Sequence, residues 1–149
     1  MRYIDTSFLV PLVLPEASSE PITGFFEELP ADALAVSHWT RVEFASLLAR
    51  EVRMGGLEAA AAREAGSRFD TVIAESFVVF SPNRADFDRA RVWLRSFETG
   101  LRAGDALHLA IASNRGAETI YSLDKVMIAA GKTLGVPTSA GILLPGYDD

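Results

Sequence analysis

Tyr3-Ile4-Asp5-Thr6-Ser7-Phe8-Leu9-Val10 opens the chain with a short apolar pair, one acid, two hydroxyls and a longer apolar run. Tyr3-Ile4 reads as a strand that ends at Asp5. Residues 7–14 read as a helix that Pro15 ends. Strand, acid and helix return in the same order near the other end. Thr119-Ile120-Tyr121-Ser122 is a strand, Asp124 follows it, and residues 125–134 read as a helix closed by Gly135.

Strands and helices alternate between these two units. Residues 19–29 read as a helix with Ser19 as its cap and Glu20-Pro21 in its first turn. Residues 33–37 are a short apolar strand. Thr40 caps a helix reaching about Met54, and Thr40 with Glu43 fits a capping box. Gly55-Gly56 stops that helix, and the Ala-rich stretch 57–74 makes a hairpin with it, its alanines permitting close packing. Ser76-Phe77-Val78-Val79-Phe80 is the clearest strand, ended by Ser81-Pro82-Asn83. Residues 86–97 are helical, with Phe87, Ala90, Val92, Trp93 and Leu94 as the apolar face. A loop at 101–104 leads into a helix over 105–114. Residues 136–138 open a last extended piece, and 145–149 form a tail.

Apolar strands alternating with helices imply an α/β fold of three layers, a central parallel sheet flanked by helices. The 149 residues fit a single domain over 1–149. Ligands of such sheets bind outside the carboxyl ends of the strands. Asp5 and Asp124 fall just after strands, and Glu43 and Asp105 lie in the first turns of helices that begin near that edge.

Composition narrows the chemistry. Hydrophobic residues make up 49% of the chain, which supplies a core and argues against disorder. The absence of cysteine excludes disulfides, zinc–thiolate sites and thiol catalysis, and permits a cytoplasmic setting. No segment spans a membrane. The run 8–14 faintly imitates a signal peptide, but Asp5, Pro11 and Pro15 interrupt it, so it reads as a buried first strand and helix. A net charge of −6 is unfavourable for broad nucleic-acid binding but compatible with a site that holds phosphates through a metal ion. It also leaves room for a basic partner.

Taken singly, each acid has a plain structural reading. Asp5 is a turn residue, Glu43 half of a capping box, Asp105 an acid facing a helix dipole and Asp124 an N-cap. Taken together on one edge they conflict. Two like charges about 4 Å apart repel by roughly 4 kcal/mol at an effective dielectric near 20. Mg2+ or Mn2+ resolves the conflict, since both favour carboxylate and water ligands.

Four segments carry a family resemblance: Tyr3-Ile4-Asp5-Thr6-Ser7, Arg41-Val42-Glu43-Phe44, Gly104-Asp105-Ala106-Leu107-His108-Leu109-Ala110 and Ser122-Leu123-Asp124. In these the chain resembles the PIN-domain family, and within it the VapC-type toxins of toxin–antitoxin pairs. The resemblance runs from Met1 to about Pro137, and the Asp-Ala-Leu-His-Leu-Ala block is its most specific part. One departure is Met127, where the family often has an aromatic or large apolar residue.

The resemblance implies a Mg2+- or Mn2+-dependent endoribonuclease that cleaves single-stranded RNA. Asp5 and Asp105 would be the main metal ligands, with Asp124 and Glu43 completing the cluster, in part through water. Ser122, Thr6 and Ser7 would orient a ligand or water. It also implies a cognate antitoxin and a homodimer. Other residues read more plainly: His108 as a core-edge histidine with its ring hydrogen-bonded, His38 as a loop residue, Trp39 and Trp93 as core or interface, and Arg41 and Arg102 as solvated charges. Lys125 reads equally as a phosphate contact or a counter-ion, and Arg89, Arg91 and Arg95 as a wet helix face. Two rivals keep an α/β fold: a catalytically inert PIN-like module that binds RNA or protein, and a phosphatase-like enzyme with Asp5 as nucleophile. Ser7 stands where the latter generally wants a second Asp.

Overall fold

Central strands buried on both faces organise the structure, a computed structural model that describes residues 1–30 and 33–142. Five short strands, β1 (Arg2–Ile4), β2 (Leu34–Ser37), β3 (Val78–Phe80), β4 (Thr119–Tyr121) and β5 (Thr138–Ser139), form one all-parallel sheet in the order β3-β2-β1-β4-β5. Tyr3 is in register with Ala35 on one side and Ile120 on the other. Tyr3 and Ile4 point to opposite faces, so they enter different cores. Ile4 joins Phe8, Ile22, Val36, Phe44 and Phe69 on one face. Tyr3 joins Ala35, Leu109, Ile111, Ile120 and Met127 on the other. Met127 is fully buried there, so the position that departs from the family pattern is filled by a flexible apolar chain.

The helices are α1 (Thr6–Val13), α2 (Ser19–Glu28), α3 (His38–Arg53), α4 (Ala59–Ser76), α5 (Arg84–Trp93), α6 (Ala103–Asn114) and α7 (Lys125–Thr133), with a 3-10 turn at Phe97–Thr99. Helix α4 buries Ala62, Ala65, Phe69 and Ile73, a helical stripe, and Phe69 stacks on Phe44 of α3 at 3.9 Å. Alpha6 is buried almost all round, with Leu107, His108, Leu109, Ala110, Ile111 and Ala112 all covered. Among the described residues no helix is long and apolar enough to cross a membrane.

Several element ends differ from the sequence expectation. The cap of α3 is Ser37, not Thr40. Strand β2 runs into the helix without a loop, Ser37 Oγ accepts from Thr40 N at 3.4 Å, and Thr40 Oγ1 accepts from Ser37 N at 3.2 Å. His38 is therefore the first helical residue, and Glu43 lies outside the capping box. Ser18 rather than Ser19 precedes α2, and Ser19 Oγ accepts instead from Glu16 N. Alpha4 continues to Ser76, which shortens β3 to Val78–Phe80. Alpha5 starts at Arg84 because Asn83 and Asp86 form a capping box, and it stops at Trp93; of the expected apolar face, Phe87 and Val92 are about half exposed. Alpha6 starts two residues before Asp105. The proposed tail at 145–149 lies outside the described residues.

Candidate active site

With strand order 3-2-1-4-5, the chain steps outward from β1 to β2 and β3 on one side, then returns to place β4 and β5 on the other side of β1. That is the switch point where open parallel sheets form a crevice beyond their carboxyl ends. Asp5 leaves β1 there, and Ser122 and Asp124 follow β4 beside it.

Asp5 is almost fully buried at 4% exposure. It caps α1, and its Oδ2 accepts from Ser7 Oγ at 2.5 Å, Ser7 N at 3.3 Å and Ser122 Oγ at 2.9 Å. Ser7 Oγ also accepts from Leu123 N at 2.9 Å, and Ser122 Oγ accepts from Asp124 N at 3.0 Å. The two hydroxyls thus tie Asp5 to the segment after β4 and leave its Oδ1 outside that set. Asp124 caps α7, with Oδ1 accepting from Val126 N at 2.8 Å and Met127 N at 3.1 Å. Asp124 is the N-cap its plain reading gives, whereas Asp5 is an N-cap and not a turn residue, and each cap leaves one carboxylate oxygen out of those bonds.

Glu43 reaches the same place from the second turn of α3. Its Oε1 accepts from Thr6 Oγ1 at 2.7 Å and from His108 Nε2. Burial raises the Glu43 carboxyl, but the bond and charge of His108 and the Thr6 hydroxyl outweigh it and hold the group below its usual range. Asp105 is part-buried in the first turn of α6. Burial raises its carboxyl most, Asp5, Asp124 and Glu43 raise it further against a smaller opposing effect of His108, and it stands at about 6. All four acids therefore share one electrostatic neighbourhood.

His108 is fully buried. Burial disfavours its charged form, but Tyr3, the Glu43 bond and Asp5 reverse that and raise its pKa well above 6.5. Its Nδ1 lies 2.8 Å from Tyr3 Oη, and Nε2 lies 3.4 Å from Asp5 Oδ1. Asp5, Glu43 and His108 each present an atom within 4.8 Å of the others. Two carboxylate oxygens face Nε2, so that nitrogen carries a proton and donates; the ring is hydrogen-bonded in the core, as expected.

The sequence reading overlooked Tyr3, Ser37 and Gly104. Tyr3 Oη donates to Ser37 Oγ at 2.9 Å, so the cap of α3 stands behind the histidine. A tyrosine in a strand buried on both faces needs a hydroxyl partner, and that need was the available signal. Gly104 adjoins Glu43 closely: a Cβ there would lie 2.9 Å from Glu43 Oε2. Trp39 Nε1 donates to Gly104 O at 3.3 Å. Arg41 pairs with Asp70 of α4 at 3.8 Å, Arg102 is exposed, and Arg89 donates to Ser113 and lies 5.5 Å from the Trp93 ring. An apolar groove of about 490 Å³, lined in part by Trp39, Val42, Phe87, Leu94 and Leu107, opens beside Gly104.

Carboxylate oxygens near the strand ends, with the Asp105 carboxyl raised by burial and then by its acidic neighbours, are the kind of donor that hard divalent cations favour. The PIN-domain family model matches residues 2–132. The chain belongs to the PIN-domain family. Solved structures share the PIN fold. VapC20 of Mycobacterium tuberculosis, described as a sarcin–ricin loop cleaving toxin, matches at 21% identity and TM-score 0.72, over 88% of this chain and 95% of that one. FitAcB from Neisseria gonorrhoeae matches at 18% and 0.68, over 93% and 96%. VapBC-1 from nontypeable Haemophilus influenzae matches at 15% and 0.67, over 93% and 97%. At these identities the likeness is one of fold. The sequence matches no curated protein.

Proposed function

We propose that this PIN domain is a Mg2+- or Mn2+-dependent endoribonuclease acting on single-stranded RNA, the toxin of a type II toxin–antitoxin pair. The observation that supports the reading is the Asp105 carboxyl, raised first by burial and then by the charges of Asp5, Asp124 and Glu43, next to the close grouping of Asp5, Glu43 and His108. In support, the solved neighbours include a sarcin–ricin loop cleaving toxin and the assemblies FitAB and VapBC-1. On this reading the protein works in the cytoplasm as a homodimer, and a cognate antitoxin covers the acidic crevice.

Asp5, Asp105 and Asp124 are the residues that would hold the cation. Bound there, it would supply Lewis-acid chemistry, making water a stronger nucleophile and offsetting charge on the phosphoryl oxygens. Ser7 and Ser122 fix the Asp5 carboxylate by its Oδ2, so that Oδ1 is presented without searching rotamers. Glu43, fixed by Thr6 and His108, orients the attacking water and accepts its proton.

Growth of a host expressing the chain tests the toxin reading. Arrest on induction, relieved in Asp105→Asn with equal protein level, is the expected result. Unimpeded growth with abundant folded wild-type protein would count against it.

A further inference from the structure

The four acids do not present equivalent oxygens. Glu43 Oε1 takes both bonds, from Thr6 and from His108, while Oε2 takes neither and lies against Gly104, the residue before Asp105. The side chain of His108 is fully covered. Behind it runs a line of bonds: His108 Nδ1 to Tyr3 Oη at 2.8 Å, Tyr3 Oη to Ser37 Oγ at 2.9 Å, and Ser37 Oγ to Thr40 N at 3.4 Å. Three elements, β1, the β2–α3 junction and α6, thereby fix one imidazole ring, and that ring fixes one carboxylate oxygen.

The geometry points to His108 as a positioning residue that sets the role of Glu43: it holds Oε1, so that Glu43 serves the crevice through Oε2 alone and orients water instead of chelating the ion. The inference rests on the nuclease reading for its kinetic part and on geometry for its metal-binding part. Two observations support it. Nε2 faces both Glu43 Oε1 and Asp5 Oδ1, so it donates and is not available as a ligand. Gly104 leaves room for Oε2 where a Cβ would stand 2.9 Å away and also 3.3 Å from Trp39 Cζ2. With Oε1 held, the carboxylate lacks the freedom to retreat from such a Cβ.

The experiment compares wild type with Tyr3→Phe, His108→Gln, His108→Met and Gly104→Ala. It measures kcat and KM for RNA cleavage, and Mn2+ affinity by calorimetry without RNA. His108→Met should lower kcat roughly 10–100-fold, the usual size of a lost supporting hydrogen bond at a metal centre, with KM little changed. Its Mn2+ affinity should stay level or tighten, because the released Glu43 is then free to ligate. His108→Gln keeps an N–H donor near the Nε2 position and should recover part of kcat. Tyr3→Phe and Gly104→Ala should lower kcat with Mn2+ affinity retained. Circular dichroism verifies that each variant folds, and Tyr3→Phe, the smallest change, carries the test if His108→Met does not.

Two results would overturn the inference. One is wild-type kcat in both His108→Met and Tyr3→Phe. The other is a Mn2+ affinity that falls tenfold or more in His108→Met, which would place the histidine's action on the ion site, directly or through Asp5, and not on Glu43. The calorimetric arm decides even if wild type fails to cleave; that failure would strike the nuclease reading and leave the Glu43 assignment to the metal data.

Discussion

Asp105 carries the clearest electrostatic signature at the residue scale. Its carboxyl stands at about 6 against an ordinary 3.8, pushed up by burial and by Asp5, Asp124 and Glu43. A raised carboxyl stabilises the fold only while protonated: its contribution is complete below 3.8 and is lost as pH rises through about 6. At pH 7.5 the metal-free protein therefore carries a repulsion that Asp105→Asn removes. Partial exposure screens it, leaving about 1 kcal/mol. Thermal melts in chelator should show Asp105→Asn above wild type at pH 7.5, with the gap closing by pH 5. Added Mg2+ should raise the melting point of wild type and leave that of the variant nearly unchanged. Asp5, Asp105 and Asp124 were legible in the sequence because each sits at a strand or helix end. The sequence did not reveal the His108–Tyr3–Ser37 line, because its contacts join residues 105 and 34 positions apart.

At the scale of elements, two junctions decide where the site residues point. The first is the direct run of β2 into α3. The Thr40–Glu43 pattern suggested one capping box, and the structure forms another, between Ser37 and Thr40. A sequence pattern cannot tell whether a loop separates strand from helix, and here the absence of one moves the cap three residues back. That shift is what frees Glu43 for the crevice. The second junction ties α5 to the end of α6. Asp86 is fully buried and accepts from Arg115 Nη1 at 3.0 Å on both oxygens, from Asn114 at 2.7 Å and from Asn83 N at 2.9 Å. Burial raises the Asp86 carboxyl, but these donors outweigh it and hold it below its ordinary 3.8. Its stabilising contribution is therefore present at neutral pH and lost as pH falls through that lowered value. Asp86→Ala leaves Arg115 without its carboxylate, with only the carbonyls of Ile111 and Ser81 to accept from it, and should cost about 3 kcal/mol in urea unfolding at pH 7. A change under 0.5 kcal/mol would show that the pair does not hold α6, and with it Asp105, in place. The role of Asp86 was not legible, since its partner lies 29 residues on.

For the whole molecule, alternation of apolar strands with helices sufficed to give the parallel sheet and its helical layers, but not the strand order. The order 3-2-1-4-5 puts the first strand in the middle, and so brings Asp5 next to a segment more than a hundred residues later. Four acids with separate local roles thereby come within reach of one another's charge, and Asp5 and Asp124 each cap a helix as well. The most direct test is cleavage of a single-stranded RNA by the purified protein with Mg2+ or Mn2+. Cleavage should stop in chelator and return with the ion, and should fall at least about 100-fold in Asp5→Asn, since a group fixed at the reacting centre contributes on that scale. Cleavage by Asp5→Asn at the wild-type rate, or cleavage indifferent to chelator, would contradict that expectation.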